Sequence, residues 1–332
     1  MKEFEYTITD PIGIHARPAG LLVKLLAAIK SDVKVAKGDK CVNAKSILGL
    51  MGLQAKQGEA IKFIIEGEDE DDAVKKIEEF LKENFSPKEI LSMTLANGVN
   101  KTKLKTRTQF FLGVLAGMYI AMGGAASTIV NSLGKGFNPQ ITRVLVGLTF
   151  TIGIVAVVVG GAELFTGNIL MFGARLDKKI KPGSLIINWA KVYVYNFIGA
   201  LLFACVVYYS NILSDLTKEL FVNIFDAKTS QGFFELFVKG IGCNLLVCLS
   251  VWLATASKEI TAKVFASAFP VAIFVIAGFE HCVANMFYLP IGMMISGTFD
   301  LAAMFHNLLP VTLGNIAGGM MLITMYYYAY KD

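Results

Sequence analysis

Six apolar stretches occupy the chain beyond residue 108, at about 109–132, 144–174, 188–210, 235–256, 264–296 and 307–329. Each is long enough to cross ~30 Å of hydrocarbon. A backbone that enters lipid must satisfy every N–H and C=O within the protein, which leaves only helices and closed barrels, and uninterrupted apolar runs of this length select helices. Stretches two and five are too long for one straight crossing, so both are predicted to be helices broken within the membrane. The composition, 55% hydrophobic with a mean hydropathy of +0.57, reflects this region alone. Residues 1–85 carry 13 Lys+Arg against 15 Asp+Glu and alternate like a soluble domain, whereas residues 86–332 carry 18 against 11.

An octapeptide recurs inside the two long stretches, as GAELFTGN from Gly161 and as GFEHCVAN from Gly278. Both copies read Gly-x-Glu-x-x-x-x-Asn, and a carboxylate in such a setting has to face protein or water. Gly-interrupted apolar segments at matching places in two halves point to a transport site near the bilayer midplane. Asn196-Phe-Ile-Gly199 and Asn315-Ile-Ala-Gly318 repeat further on. The two halves therefore read as repeats, inverted because each holds three crossings. Most glycines in the runs, such as Gly117 and Gly318, read as points of close helix approach. The copies differ most usefully after the glutamate, where one has Leu164 and the other His281. A histidine beside Glu280 in a mid-membrane break is read as functional rather than as packing. Phe150, Phe165 and Phe274 are candidates for apolar constrictions or for core packing.

Six crossings place both ends of this region on one side. The flanks and loops on that side hold twelve basic residues, and the alternate loops only Lys135, Arg143, Lys218 and Lys228. Both termini are therefore predicted to be cytoplasmic in a multi-pass inner-membrane protein. Residues 86–108, with Lys101, Lys103, Lys105 and Arg107, read as a basic amphipathic linker at the lipid surface. The start, MKEFEYTITD, lacks an apolar signal sequence, and five cysteines without paired spacing argue against a disulfide framework or a zinc site. No metal, cofactor or nucleic-acid partner is expected.

In residues 1–85 the periodicity predicts the order βαββαβα, an α+β open-faced sandwich with helices on one face of an antiparallel sheet. His15 immediately precedes a helix with an early proline, where free N–H groups and the dipole suit a phosphate, and Arg17 is placed to assist. Ser46 fits a helix N-cap and also a modification site, and Ile47, Leu48 and Met51 fit a half-buried helix face that can serve at the same time as a docking patch.

The run Gly13-Ile14-His15-Ala16-Arg17-Pro18-Ala19, its spacing to Lys45-Ser46-Ile47 and the acidic start of the last helix resemble HPr, the phosphocarrier of the sugar phosphotransferase system. That resemblance implies phosphorylation of His15 by enzyme I and of Ser46 by HPr kinase, with Ile12 standing where HPr proteins often have a small polar residue. The AELFTGN break, FEHCVANMFYLPIG, GCNLLVCLSVW and PVTLGNIAGG resemble the formate/nitrite transporter family. This implies an all-α, aquaporin-like protomer in a homopentamer, with one anion pore per protomer and domains at 1–85, 86–108 and 109–332. It also implies that Leu164, Phe165 and Thr166 line the break and that Thr166 faces His281. Phe150 and Phe274 would constrict the pore beside Ile154, which stands where Leu is often found. Lys228 and Asn244 would draw anions in from outside, Asn315 would be a second polar partner near the histidine, and Glu163 and Glu280 would anchor the breaks by accepting backbone hydrogen bonds. The expected function is a channel or proton-linked transporter for a small weak-acid anion, formate first, with nitrite or hydrosulfide as alternatives. Two other classes fit the sequence: a membrane-anchored phosphotransfer protein with a vestigial pore, and a neutral-solute channel.

Overall fold

The computed structural model describes residues 1–8, 14, 16–56, 58–81 and 86–331, and of residues 16–18 the backbone only. The chain divides into two compact units, Met1–Glu83 and Asn84–Asp332.

In the first unit the order is β1 (Lys2–Thr7), α1 (Ala16–Leu26), β2 (Asp32–Lys37), β3 (Lys40–Asn43), α2 (Ile47–Gly52), β4 (Ala60–Glu66) and α3 (Glu70–Leu81). The strands form one antiparallel sheet ordered β1-β4-β2-β3, with Phe4 opposite Phe63 and Phe63 opposite Val35. Alternation puts Val33, Val35, Ile61, Phe63 and Ile65 on a single buried face, where Leu22, Leu26, Leu50, Ala73 and Ile77 of the helices close over them. The predicted open-faced sandwich is therefore what forms. The carboxylate of Asp69 accepts hydrogen bonds from the Ser31 hydroxyl and from the Lys30 and Ser31 N–H groups, which holds its pKa down at about 2 and ties the start of α3 to the α1–β2 turn.

The second unit is helical throughout its described residues. Its elements are α4 (Pro87–Thr102), α5 (Thr106–Leu133), α6 (Pro139–Phe150), α7 (Ile152–Gly160), α8 (Phe165–Asn168) and, after a 3₁₀ turn at Ile169–Met171, α9 (Phe172–Leu176). Then come α10 (Pro182–Tyr209), α11 (Asp215–Thr229), α12 (Phe233–Thr255), α13 (Ile260–Ala277), α14 (Cys282–Ser296) and α15 (Leu301–Tyr330). Six segments are long and apolar enough to cross a membrane: Thr106–Leu133, Pro139–Gly160, Pro182–Tyr209, Phe233–Thr255, Ile260–Ala277 and Leu301–Tyr330. The second and fifth crossings break where the sequence predicts, each at a glycine in the left-handed region, Gly161 at φ 73° and Gly278 at φ 81°.

Span pairs repeat in the same way in the two halves. α5 lies along α10 and α12 along α15, close enough that a Cβ on Gly199 would stand 1.9 Å from the Val114 carbonyl oxygen, and one on Gly318 2.3 Å from that of Ile241. Neither position has room for a larger residue.

The segment read as a surface linker is organised differently. Residues 87–102 form α4, started by a capping box between Ser86 and Glu89, and α4 buries Ile90, Leu91, Thr94, Leu95 and Gly98. Those residues pack on α9, α12 and α15, which makes α4 a component of the transmembrane unit. Its counterpart in the second half is α11, expected as loop, which is capped by Ser214 and buries Thr217, Phe221 and Phe225. Three crossings separate α4 from α11, so they lie on opposite faces. On the α4 side, Asp177 receives Lys331, Lys179 and the Tyr327 hydroxyl; the hydrogen bond from Lys331 and then that from Lys179 hold its carboxyl down at about 2.

Candidate functional site

Each break leaves a helix N-terminus inside the protein, and its N–H groups need acceptors there. In the first break the Phe165 N–H donates to Asn196 Oδ1 at 2.8 Å, and the Asn196 amide donates to the carbonyls of Gly113 and Glu163 at 2.8 and 2.9 Å. In the second break the Cys282 N–H donates to Asn315 Oδ1 at 2.9 Å, and Asn315 donates to the carbonyls of Gly240 and Glu280 at 2.8 and 2.9 Å. One asparagine on the following span pins each break. Asn315, expected as a second polar partner near the histidine, bonds the backbone on both sides of His281, at Glu280 and at Cys282.

The two glutamates act on side chains rather than on backbone. Glu163 Oε1 receives Lys101 Nζ at 2.5 Å and Glu163 Oε2 receives Asn168 Nδ2 at 2.8 Å. Glu280 receives Lys228 Nζ at 2.9 and 2.8 Å on its two oxygens, and Asn285 Nδ2 at 2.7 Å. Asn168 and Asn285 donate in turn to Asn188 and Asn307, whose amides reach the Lys101 and Lys228 carbonyls. Both carboxylates lie in the protein interior, and an ion pair is what makes a charge tolerable there. Backbone anchoring by Glu163 and Glu280, expected from the sequence, is thus done by the two asparagines. Lys228 was expected to act with Asn244 on incoming anions; it is instead engaged by Glu280. Asn244 is buried and donates to the carbonyls of Thr166 and Asn315 at 3.2 and 2.6 Å.

Where the halves differ, the differences converge. Leu164, the residue before α8, makes no capping bond, whereas His281 before α14 accepts the Ala284 N–H on Nδ1 at 3.1 Å. An Nδ1 that accepts leaves the neutral ring's proton on Nε2. Nε2 lies 2.9 Å from Thr166 Oγ1, so Nε2–H donates to that hydroxyl, and the hydroxyl's own hydrogen is free to turn to a third group. Thr166 occupies the place of Val283 in the other repeat, and Asn244 that of Gly117. His281, Thr166 and Asn244 are all symmetry-breaking residues, and all three are joined by hydrogen bonds.

Aromatic rings flank this group. Phe150 and Phe274 meet edge to face at 5.8 Å, and the Phe274 ring lies 5.8 Å from the imidazole, nearly parallel to it. Ile154 is buried on α7. Phe165 packs its ring against Tyr193 at 5.0 Å, so its partner is span three. Next to the first break is a cavity of about 550 Å³, lined by Leu164, Glu163, Asn97, Lys101, Lys258 and Lys263 among others. Three lysines and one glutamate are in its lining, and Lys101 is paired with that glutamate.

In the first unit, His15 lies outside the described residues and so does the side chain of Arg17. Ser46 is the N-cap of α2, its hydroxyl accepting the Gly49 N–H at 3.1 Å, and beside it Leu48 is 83% exposed, with Ile47 and Met51 also exposed.

A family model described as formate/nitrite transporter matches residues 88–329, and another, described as PTS HPr component phosphorylation site, matches residues 2–83. A probable formate transporter of Methanothermobacter thermautotrophicus is 36% identical over 242 residues, 66% of this chain and 87% of that protein. The formate channel FocA of Haemophilus influenzae is 35% identical over 240 residues, 65% of this chain and 84% of its own. Among solved structures, a pentameric formate channel with formate bound aligns at 30% identity with a TM-score of 0.61, over 68% of this chain and 96% of that one.

Proposed function

Since the chain belongs to the formate/nitrite transporter family and joins that membrane unit to an HPr component, we propose that it forms a homopentamer in the inner membrane that carries formate. Each protomer has its own pore, and both termini face the cytoplasm, in line with the basic α4-side loops. The observation that carries this reading is the buried Nε2–Thr166 hydrogen bond at the second break, beside the Phe274 ring.

The charged groups of the two octapeptides are paired off, Glu163 with Lys101 and Glu280 with Lys228, so neither pair leaves a spare charge at the midplane. An anion pressed between Phe150 and Phe274 would lose its water without gaining a counter-charge, at a cost of several kcal/mol. A proton removes that cost. An imidazolium at His281 passes its Nε2 proton to Thr166 Oγ1 while the threonine's own proton moves to the carboxylate, giving neutral formic acid, neutral His281 and an unchanged hydroxyl. Protonation of Nδ1 breaks the Ala284 cap, and neutralisation through Nε2 leaves the other tautomer, so a tautomer exchange restores the cap after each cycle.

Purified protein in liposomes should show formate flux that rises as pH falls, and His281→Asn should lose that dependence while assembling normally. Competition among formate, nitrite and hydrosulfide in the same assay orders the anions. Absence of flux would leave a membrane-anchored phosphotransfer protein, and water or glycerol flux above anion flux would leave a neutral-solute channel.

The HPr component gives the pore a second input. Phosphoryl transfer from enzyme I to His15, or modification of Ser46 by HPr kinase, would add about two negative charges to a unit joined directly to the channel, and this would change flux. Ser46 at an exposed helix start beside Leu48 supports that reading. Flux measured with and without enzyme I and phosphoenolpyruvate tests it; equal flux would make the unit a passenger.

A further inference from the structure

The Thr166 peptide is held by side chains that its counterpart lacks. Its carbonyl accepts Asn244 Nδ2 at 3.2 Å and the Cys248 thiol at 3.4 Å, both from α12, and all three residues are fully buried. The matching carbonyl in the other half belongs to Val283. The asparagine pins set the register of the surrounding helices: Asn196 reaches the Gly113 carbonyl and Asn315 that of Gly240, so Asn244 corresponds to Gly117, Cys248 to Ala121 and Gly319 to Ala200. Gly117 and Ala121 have no side chain that could donate.

The third exchange follows from the other two. A Cβ on Gly319 would stand 2.6 Å from Asn244 Nδ2 and 2.9 Å from Cys248 Sγ, so α15 carries glycine where both donors lie, and α10 carries alanine where the corresponding residues are Gly117 and Ala121. Asn244 also leaves its Oδ1 buried without a hydrogen-bond partner. An orphaned buried acceptor is destabilising, and the first half closes without such a side chain. Packing alone therefore does not account for the set.

The need for support lies in α8. Val283 stands in α14, 15 residues long and capped by His281, whereas Thr166 stands in a helix of 4 residues that has no side-chain cap from Leu164 and runs directly into a 3₁₀ turn. One turn of helix is not self-supporting. Thr166 Oγ1 lies 2.9 Å from His281 Nε2, and because a β-branched side chain is stiff, holding the peptide holds the hydroxyl. A thiol is a weak donor, but it shares the oxygen with an amide one helical turn away, and two donors on one carbonyl fix its direction as well as its place.

We infer that Cys248 is a positioning residue for the proton step: with Asn244 it clamps the Thr166 peptide so that the hydroxyl stays on His281 Nε2, and Gly319 is glycine to seat the clamp. The inference rests on the proton transfer proposed above.

Three substitutions in the full chain separate the donor from the space it fills. Cys248→Ser keeps a donor, Cys248→Val fills the space without one, and Cys248→Ala does neither and matches the first half. In liposomes, Cys248→Val and Cys248→Ala should each shrink the ratio of formate flux at about pH 5 to that at about pH 8 on the order of fivefold, while Cys248→Ser keeps it within about twofold of the parent. Solid-state nitrogen NMR of the His281 ring reads the same geometry without transport: the Nε2 signal should move toward that of an unbonded N–H in Cys248→Val and Cys248→Ala, and stay with the parent in Cys248→Ser. If Cys248→Val kept the parent's ratio and signal while Cys248→Ser lost them, Cys248 would be a space filler. An unmoved His281 signal in Cys248→Ala would overturn the inference whatever the flux. A parent that carries no formate, with the His281 signal moving as stated, would leave the clamp standing and strike only at the channel reading.

Discussion

The two helix breaks share a scaffold and divide a task. Each has a left-handed glycine, a glutamate paired to a lysine from a helix outside the six crossings, and an asparagine on the next span that satisfies the freed backbone. With that frame constant, the residues that differ stand out. Leu164 against His281, Val283 against Thr166 and Gly117 against Asn244 all meet in one hydrogen-bonded group. Duplication supplies a stable way of opening a helix inside lipid, and departures from duplication supply chemistry at its centre.

The largest effect should come from the shared frame. Replacing Asn196 or Asn315 by Leu takes the partner from one N–H and one carbonyl at the break, Phe165 and Glu163 in one half and Cys282 and Glu280 in the other, on the order of 4 kcal/mol of destabilisation in either half. Size-exclusion profiles after graded heating should show both variants losing assembly. A variant that fails in only one half would break the equivalence of the two breaks.

Next are the carboxylates. Glu280→Gln strands the ammonium of Lys228, whose side chain is 16% exposed, and should cost about 3 kcal/mol; Glu163→Gln should cost less, since the Lys101 side chain is 28% exposed and keeps Asn168. Thermal midpoints of the two variants measured side by side check the order. A reversed order would mean that Lys101 depends on its carboxylate more than the geometry indicates.

Smaller still is the hydroxyl pair. Thr166→Val removes the acceptor of His281 Nε2–H and should lower flux roughly tenfold, the factor that a hydrogen bond of about 1.4 kcal/mol controls. Val283→Thr places a hydroxyl at the matching site of the other repeat and should leave flux within about twofold. Equal losses in both would show that packing, not the hydroxyl, is what Thr166 supplies.

Much of this frame is legible in the chain. The overlong apolar runs and Gly-x-Glu-x-x-x-x-Asn mark both breaks, because glycine and a membrane carboxylate are each costly enough to be informative. The one-faced alternation of β2 and β4 identifies the sandwich for a similar reason. What stayed hidden was partnership across long separations. Lys101 reads as one more base in a polar segment, and nothing local tells it apart from Lys103; its role depends on α4 folding back against the first break. The same is true of Lys228, set in what reads as loop. One signal was available: Asn188 and Asn196 have the same spacing as Asn307 and Asn315, and all four proved to be break or seat residues. The tautomer of His281 was not legible at all, because the Ala284 cap on Nδ1 exists only once the break is formed.

The most direct test of the asymmetry is formate flux against pH in liposomes for the parent and for His281→Asn. If the second break carries the proton, parent flux climbs as pH falls from about 8 to 5, and the variant, still pentameric, gives a lower and flat profile. A variant whose flux and pH profile match the parent would contradict the account.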